Sequence, residues 1–449
     1  MLAESVASSQ TEDIEALWLC PADCAVQLRV MAPLYFARPL ASHEEFMDFD
    51  ILEKSFHITL SACLPHVLKA DLQQMTRARE QTPARPGLPL ATKHIDDYCT
   101  IAKMRASDFM PGAQPVVISS ASTVSDPLGG DPLATLDVVY MSDGVGVLVA
   151  ISHAVVDMAA YCRFVTEWGL VARDMLKLGC KSEELACKPP KLDVDRQKFW
   201  SQATAQCFPR PALPLEIHLD RLFAENNVDT APSVNASLFR LSIDASGIAE
   251  LSKTRDKVCP GVSVPNLISA IMWRAIVLAY PRAKYAYFAA SMMVRSLPEF
   301  SEYWGSASTV KYIHAETEMF RSSAWIREVA QMVQDNVQAF TVNDFVDIIS
   351  WYDSGENTHC KYLAKYVENG HVPRLMMSNI SRIRFYDIDF GYGPAVKAVY
   401  PAVGISGLGI MMPRAQTGGI DIYACLPDVA AASILADELV REHINIDRI

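Results

Sequence analysis

The stretch VGVLVAISHAVVD, residues 145–157, combines an apolar run with a histidine and an aspartate four positions apart. Its first seven residues are mostly β-branched or apolar, as in a buried strand. With the similar run at 135–140 and the intervening Ser142-Asp143-Gly144, it predicts a β-hairpin. His153 then follows a strand, where a histidine in apolar surroundings is costly unless its ring is used or hydrogen-bonded.

A helix is predicted directly after the aspartate, from Met158 to about Leu178, and Gly179 ends it. Its apolar residues recur every three or four positions, which places them on one face; they are Tyr161, Phe164, Val165, Trp168, Val171 and Met175. On spacing alone, His153 can equally be a buried histidine bonded to backbone, with Asp157 as a residue that starts the helix. The histidine and aspartate alone therefore do not distinguish a catalytic histidine from a structural one.

Strands and helices are mixed in the second half of the chain as well. We expect strands at 238–243, 285–293, 308–314, 374–378, 408–412 and 419–426, and helices from Asp244 or Ser246 to about Arg255 and at 265–280, 324–339 and 429–443. This mixture favours an α/β fold with two domains. We place the domains at 1–180 and 238–449, joined by a proline-rich crossover linker at 181–237.

The chain has 449 residues, which is too long for one ordinary core, and half of them are apolar. A net charge of −12 argues against a nucleic-acid partner. With no signal peptide and no membrane segment recognisable, we expect a cytoplasmic protein. Eleven cysteines without a repeated spacing indicate reduced thiols. Because Cys20 and Cys24 lack a second pair of ligands, we expect no metal.

A second motif, DFGYG, occupies residues 389–393 in the last fifth of the chain. Two glycines set between aromatic residues are typical of a tight loop, although an ordinary glycine turn has the same pattern. The signatures G-x-S-x-G, G-x-G-x-x-G after a strand, H-E-x-x-H and the Walker loop do not occur in the sequence. Several common enzyme classes are thereby excluded.

Taken together, the H-x-x-x-D and D-F-G-x-G motifs resemble those of the BAHD acyltransferases, the acyl-CoA-dependent O- and N-acyltransferases of plant and fungal specialised metabolism. The resemblance extends over about 134–426. Met158 stands in place of the usual glycine after the aspartate, and Tyr392 in place of a tryptophan. In these two positions the sequence is most similar to the fungal branch that includes trichothecene 3-O-acetyltransferase. Flanking segments match as well: Asn266 to Ala270 with Trp273, Val294-Arg295, Tyr303-Trp304-Gly305 and Gly418 to Asp421.

This resemblance implies two chloramphenicol-acetyltransferase-like domains with mixed sheets and a channel between them. Acyl-CoA, by default acetyl-CoA, would enter from one side as co-substrate, and a small hydroxylated acceptor from the other. No permanently bound cofactor, no metal, no nucleic acid and no membrane partner are implied, and the family favours a monomer. The expected reaction is O-acylation of a small specialised metabolite by direct transfer.

The resemblance also assigns roles to residues. His153 would be the general base, and Asp157 would form a structural ion pair with Arg295. Asp389, Gly391 and Gly393 would fix the loop. For the donor to the tetrahedral oxyanion, Tyr392, Asn379 and Ser378 stay open as rivals, because Ile380 stands where the family usually has a tryptophan. Met293 stands two residues before Arg295, where the family usually has an acidic residue. The ion pairs around Arg295 can therefore differ from those of the family.

For the CoA phosphates we expect Arg382, Arg384 and Lys397, with Ser378 also near the cofactor, although charges that alternate along a segment often mark a solvated strand face. Two other functions stay open. The same fold supports N- or C-acylation or cyclisation, as in condensation domains, but those usually have a second histidine where Ser152 stands. A non-catalytic binding homologue is the other alternative.

Overall fold

The computed structural model describes residues 17–19, 28–39, 46–65, 67, 72–74, 89–121, 131–178, 236–345, 373–400, 405–414, 417–437, 441 and 443–449. The chain divides into two compact units. The first comprises Met1–Gln202, Phe300–Ala307 and Ile383–Pro401, and the second comprises Ala203–Glu299, Ser308–Arg382 and Ala402–Ile449.

Two segments from the later part of the chain thus return to the first unit, and one of them carries the DFGYG motif. The linear division expected from the sequence has both segments in the second domain. The limits of the linker at 181–237 stay a prediction, because nearly all of it lies outside the described residues.

In chain order, the strands are β1 (Leu17–Leu19), β2 (Arg29–Met31), β3 (Leu34–Ala37), β4 (Leu72–Gln74), β5 (Leu90–Ile95), β6 (Ala134–Met141), β7 (Gly144–Ser152), β8 (Ala236–Ile243), β9 (Tyr285–Met293), β10 (Ser308–Glu316), β11 (Arg374–Asn379), β12 (Lys397–Ala398), β13 (Leu408–Met411), β14 (Ile420–Pro427) and β15 (Ile444–Arg448). The α-helices are α1 (Phe49–Cys63), α2 (Ile101–Ala106), α3 (Val116–Ser119), α4 (Met158–Lys177), α5 (Ala245–Val258), α6 (Val264–Leu278), α7 (Trp325–Gln338) and α8 (Asp428–Ala436).

The first unit is built on a mixed six-stranded sheet in the order β12-β3-β7-β6-β5, with β2 also paired to β7. The predicted hairpin is confirmed as β6 and β7, which meet across Ser142 and Asp143. The carboxylate of Asp143 accepts hydrogen bonds from the backbone N–H groups of Ile101 (2.7 Å) and Ala102 (2.9 Å), which ties the hairpin to α2. Every residue of β7 is buried because the strand lies inside the sheet.

The predicted helix is confirmed as α4, and all six residues of its predicted apolar face are buried. α4 packs on α1, where the indole Nε1 of Trp168 donates to Ser55 Oγ at 2.8 Å and to the Leu52 carbonyl at 3.1 Å. The rings of Phe56 and Phe164 meet edge to face at 5.8 Å. Burial of large aromatic rings with a satisfied indole makes this contact a main source of stability in the first unit.

The second unit contains a mixed seven-stranded sheet in the order β10-β9-β11-β13-β14-β8-β15. β11 runs parallel to both of its neighbours, and the other pairs are antiparallel. Helix α6 is almost entirely buried, with Trp273 against Phe320 at 4.8 Å and Phe288 at 5.4 Å. The predicted strands of this half and three of its four helices are confirmed to within a few residues, and Asp244 is the N-cap of α5.

The prediction of one helix over 429–443 is wrong at its C-terminal end. α8 ends at Ala436, and Asp437 is extended, with its carboxylate accepting a hydrogen bond from Arg274 at 3.1 Å. The chain then forms β15, which pairs with β8. The end of α8 coincides with this contact between Asp437 and Arg274, which are distant in sequence. Residues 438–440 and 442 lie outside the described residues.

Candidate active site

His153 lies in a tight turn immediately after β7. The turn is closed by the Val155 N–H, which donates to the Ser152 carbonyl at 3.0 Å, and by the Ala154 N–H, which donates to Ser152 Oγ at 3.3 Å. The N–H of His153 itself donates to the Leu28 carbonyl at 2.8 Å. The backbone of the histidine is therefore fixed on both sides, while its side chain is only half-buried.

Asp157 is the N-cap of α4 and is 4 % exposed. Its Oδ1 accepts hydrogen bonds from the N–H groups of Ala159 (3.1 Å) and Ala160 (3.0 Å). Its Oδ2 accepts a hydrogen bond from the N–H of Ala307 at 3.0 Å. A carboxylate is favoured here because the free N–H groups at a helix start carry partial positive charge. Both of its oxygens thus bind backbone N–H groups.

Residues 303–307 bind the turn that carries the histidine. The Ser306 N–H donates to the Val155 carbonyl at 2.9 Å, and Ser306 Oγ lies 3.5 Å from Nδ1 of His153. An added Cβ at Gly305 would collide with the hydroxyl of Tyr303, so a larger residue there would displace that side chain. The match of Tyr303-Trp304-Gly305 to the family pattern marks this segment in the sequence, but it assigns no role to Ser306.

The DFGYG loop is organised by its aspartate. Oδ1 of Asp389 accepts hydrogen bonds from the N–H groups of Gly391 (2.7 Å), Tyr392 (3.1 Å) and Gly393 (2.9 Å). Gly391 and Gly393 have φ values of 101° and 99°, which side chains with a Cβ rarely adopt. The loop therefore depends on all three motif residues.

This loop lies against the C-terminal half of α4. An added Cβ at Gly169 would lie 3.0 Å from the Asp389 carbonyl oxygen, and one at Gly391 would lie 3.1 Å from Leu176 Cδ1. The buried ring of Phe390 contacts Trp168 at 4.6 Å. Since α4 rises about 1.5 Å per residue, the loop is on the order of 20 Å from the turn of His153.

The prediction that Tyr392 is an oxyanion donor is therefore wrong. The ring of Tyr392 packs edge to face on the ring of Phe46, with the ring centroids 5.0 Å apart. An oxyanion donor must lie about 3 Å from the reacting oxygen, and a group near the far end of α4 cannot reach a reaction at His153.

The other proposed oxyanion donors, Ser378 and Asn379, end strand β11 of the second unit. Asn379 is exposed, and its side-chain oxygen accepts hydrogen bonds from the N–H (3.1 Å) and the hydroxyl (2.7 Å) of Ser381. Arg382 is exposed in the turn that follows. Arg295, also in the second unit, is buried in a 3-10 turn at Val294–Ser296. Their roles stay predictions.

Two cations expected near the CoA phosphates differ in their surroundings. Arg384 is exposed and lies 3.8 Å from Asp387. Lys397 is buried in β12, with Nζ 3.4 Å from Asp108 Oδ1. The predicted contact of Lys397 with the CoA phosphates is disfavoured, because its ammonium is buried and paired with Asp108.

Metal-binding clusters of three or more His, Cys, Asp or Glu side chains do not occur within the described ranges. The cysteines in those ranges are free thiols: Cys63, Cys99, Cys162, Cys259 and Cys425. Cys20 and Cys24 lie outside the described residues. Among the helices that the structure describes, none is long and apolar enough to cross a membrane.

The fold is similar to that of known acyltransferases. TRI101 of F. sporotrichioides, in a complex with coenzyme A and T-2, has a TM-score of 0.70 at 15% identity, covering 94% of this chain and 97% of that one. TRI101 of F. graminearum with ethyl coenzyme A has a TM-score of 0.69 at 13% identity, covering 95% and 98%. Vinorine synthase has a TM-score of 0.59 at 14% identity, covering 95% and 94%.

No curated protein sequence matches the chain significantly. The sequence model of the Transferase family matches residues 107–438, which is most of the chain. The match includes the turn of His153, the 303–307 segment and the DFGYG loop. The chain therefore belongs to the Transferase family, and the predictions of an acyltransferase and of its two-domain α/β fold are confirmed.

Proposed function

We propose that this acyltransferase uses acyl-CoA, by default acetyl-CoA, to acylate a hydroxyl of a small specialised metabolite. The observation that carries the proposal is the turn after β7, which fixes the backbone of His153 and leaves its ring half-exposed. With Nδ1 directed at Ser306, Nε2 is the nitrogen left to face an acceptor. A neutral imidazole nitrogen within reach of a hydroxyl can act as a general base.

The proposed reaction is a single displacement. Nε2 of His153 takes the hydroxyl proton while the acceptor oxygen forms a bond with the thioester carbonyl carbon. The C–S bond of the tetrahedral intermediate then breaks, and the proton passes from the imidazolium to the thiolate of CoA. No covalent acyl-enzyme forms, because His153 takes only a proton and the acceptor oxygen itself attacks.

The intermediate also needs a donor to its oxyanion. Asn379 and Ser378 are the proposed donors, now that Tyr392 is excluded by its place beside α4. For the phosphates of CoA we propose Arg382 and Arg384, which are both exposed. Loss of one oxyanion donor typically lowers the rate by about 100- to 1000-fold, so Asn379→Ala and Ser378→Ala discriminate between the two donors.

The choice of substrates for a test is guided by the similar structures. TRI101 of F. sporotrichioides was crystallised with coenzyme A and T-2, and that of F. graminearum with coenzyme A and deoxynivalenol. Identity to these proteins is low, so their ligands serve only as probes of the proposed donor and acceptor classes. We also propose that the enzyme acts as a monomer in the cytoplasm.

The test follows CoA thiol release and product mass with a panel of acyl-CoAs and hydroxylated acceptors, in the wild type and in His153→Ala. We expect a loss of at least about 100-fold in kcat, with CoA affinity measured by calorimetry unchanged. His94→Ala is the matched control. His94 bonds to Asp137 on β5 and β6 and lies about seven strand residues, or about 23 Å, back along the sheet from His153.

Full activity in His153→Ala would contradict the general-base role. Transfer to an amine or a carbon in place of a hydroxyl would favour the alternative chemistries of the fold. Saturable CoA binding without any turnover across the panel would favour a non-catalytic binding protein.

The proposed partner of Asp157 is Arg295, which we assign by resemblance to the family. If the two side chains form an ion pair, a double-mutant cycle with Asp157→Asn and Arg295→Gln should show coupling in the free energy of unfolding well above about 0.5 kcal/mol. Additive effects would contradict the pair.

A further inference from the structure

Ser306 is the side-chain partner of the His153 ring among the described residues, with Oγ 3.5 Å from Nδ1. We infer that Ser306 is a positioning residue for the proposed reaction: its hydroxyl accepts the Nδ1–H and so keeps the lone pair of Nε2 directed at the acceptor. This inference rests on the proposed function. Neutral histidine carries its proton on either nitrogen, and only the Nδ1–H tautomer leaves Nε2 free as a base.

The position of Ser306 is set by its backbone. Its N–H donates to the Val155 carbonyl at 2.9 Å, and the next residue, Ala307, donates to Asp157 Oδ2 at 3.0 Å. Ser306 is also nearly buried, at 8 % exposure. These two backbone hydrogen bonds hold Cβ of Ser306 near the histidine turn, and in the observed χ1 rotamer Oγ faces Nδ1.

The distance of 3.5 Å is at the long end of the hydrogen-bond range. Catalytic hydrogen bonds of this kind commonly shorten when substrates bind. Asp157 accepts three backbone N–H groups, and the side-chain contact described for the His153 ring is with the hydroxyl of Ser306. The ring thus has a neutral partner, which fixes its tautomer without the strong stabilisation that a carboxylate gives an imidazolium.

The first experiment measures the tautomer directly. In ¹⁵N-labelled protein, long-range ¹H–¹⁵N spectra distinguish a protonated ring nitrogen from a bare one. The chain has ten histidines, so the signals of His153 are assigned by difference from His153→Gln. We expect a bare Nε2 in the wild type and in Ser306→Thr, and a larger Nε2–H population in Ser306→Ala. An unchanged tautomer in Ser306→Ala would overturn the inference.

The second experiment measures kinetics. We expect Ser306→Ala to lower kcat by about tenfold, the effect of one lost hydrogen bond of ordinary strength, with KM for both substrates and CoA affinity unchanged. Ser306→Cys, a weak acceptor of similar size, should lower kcat as Ser306→Ala does. Ser306→Thr keeps the hydroxyl and should keep the kcat of the wild type. Ser252→Ala is the control, because its hydroxyl is partly buried and donates to the Ile248 carbonyl within α5 of the second unit.

The outcomes separate this inference from the proposed function. If His153→Ala is inactive but Ser306→Ala keeps full kcat, only the role of Ser306 is overturned. If His153→Ala stays active, the proposed base fails, while the spectra still decide whether Ser306 sets the tautomer. If Ser306→Thr loses kcat as Ser306→Ala does, then the volume of the side chain and not its hydroxyl determines kcat, and the inference is overturned.

Discussion

The carboxylate of Asp157 accepts a hydrogen bond from the backbone N–H of Ala307, 150 residues further along the chain. The same carboxylate caps α4 through two other N–H groups. One side chain thus joins the start of a helix, the turn of the histidine and the 303–307 segment. Its substitution should affect both stability and the position of the proposed base.

We expect Asp157→Ala to lower the free energy of unfolding by about 3 kcal/mol, because a helix cap and a charge-assisted hydrogen bond are both lost. Asp157→Asn keeps a carbonyl acceptor and should lose less. Chemical unfolding measures both values. The control is Asp244→Ala, which removes the cap of α5 and an exposed bond from the Ser246 hydroxyl, and should cost less than Asp157→Ala. Equal losses at the two aspartates would mean that the Ala307 bond adds nothing.

Glycine substitutions in the DFGYG loop should reduce stability through backbone strain. At Gly393, φ is 99° and an added Cβ would have no neighbour within 4 Å, so Gly393→Ala should cost on the order of 1–2 kcal/mol from conformation alone. Gly391→Ala should cost more, since its Cβ would also press on Leu176. Gly112→Ala, at an open position without positive φ, is the neutral control. Neutral behaviour of Gly393→Ala would contradict the strain argument.

Tyr392→Phe should leave kcat within about twofold of the wild type, because its loop is on the order of 20 Å from the histidine turn. Steady-state kinetics with an acceptor identified from the panel checks this. Tyr392→Ala should instead lower stability by about 0.5–1.5 kcal/mol or more, since it removes the ring contact with Phe46. A 100-fold loss of kcat in Tyr392→Phe would restore the tyrosine as an oxyanion donor.

The free energy of unfolding should fall as the pH drops below 6.5, and His57 should account for part of that fall. Burial lowers the pKa of His57 below its ordinary 6.5, and the charge of Glu53 partly opposes this. Between the folded pKa and 6.5 the unfolded chain therefore binds more protons, so acid favours unfolding in that window. His57→Gln should flatten the pH dependence of the unfolding free energy below pH 6.5. Identical slopes in the wild type and in His57→Gln would contradict the expectation.

Two thiols of the first unit should resist alkylation in the native protein. Burial raises the pKa of Cys63 to about 12 and that of Cys162 to about 11, so little reactive thiolate exists at neutral pH. Peptide mapping after brief treatment with N-ethylmaleimide should find both unmodified before unfolding and modified after it. Rapid native modification of Cys162 would indicate that the segment with Arg384, whose backbone bonds to this thiol, opens in solution.

Local patterns account for the parts of the fold that could be predicted. The alternation in β6, the apolar run of β7 and the three-to-four spacing of α4 each reflect burial of one face, which neighbouring residues specify. The cap at Asp157 is equally local. For the site, this places His153 correctly in a turn after a strand.

The errors come from contacts distant in sequence. Ser306 reaches His153 from a segment 153 residues away, and no periodicity reports such a contact. The place of Tyr392 depends on the close approach that Gly169 allows on α4, which the aromatic character of the motif does not reveal. The end of α8 likewise coincides with a contact between Asp437 and Arg274, in another helix.

Strand β12 has a consequence for biosynthesis. It pairs with Leu34 and Tyr35 of β3, although 220 residues separate it from the end of α4. At translation rates of 5–20 residues per second, the ribosome needs roughly 10 to 45 s to cover that interval. Until then β3 of the nascent first unit lacks its partner strand β12, and Trp168 lacks its ring contact with Phe390. A fragment ending after α4 should therefore aggregate or require a chaperone under conditions in which the full chain folds.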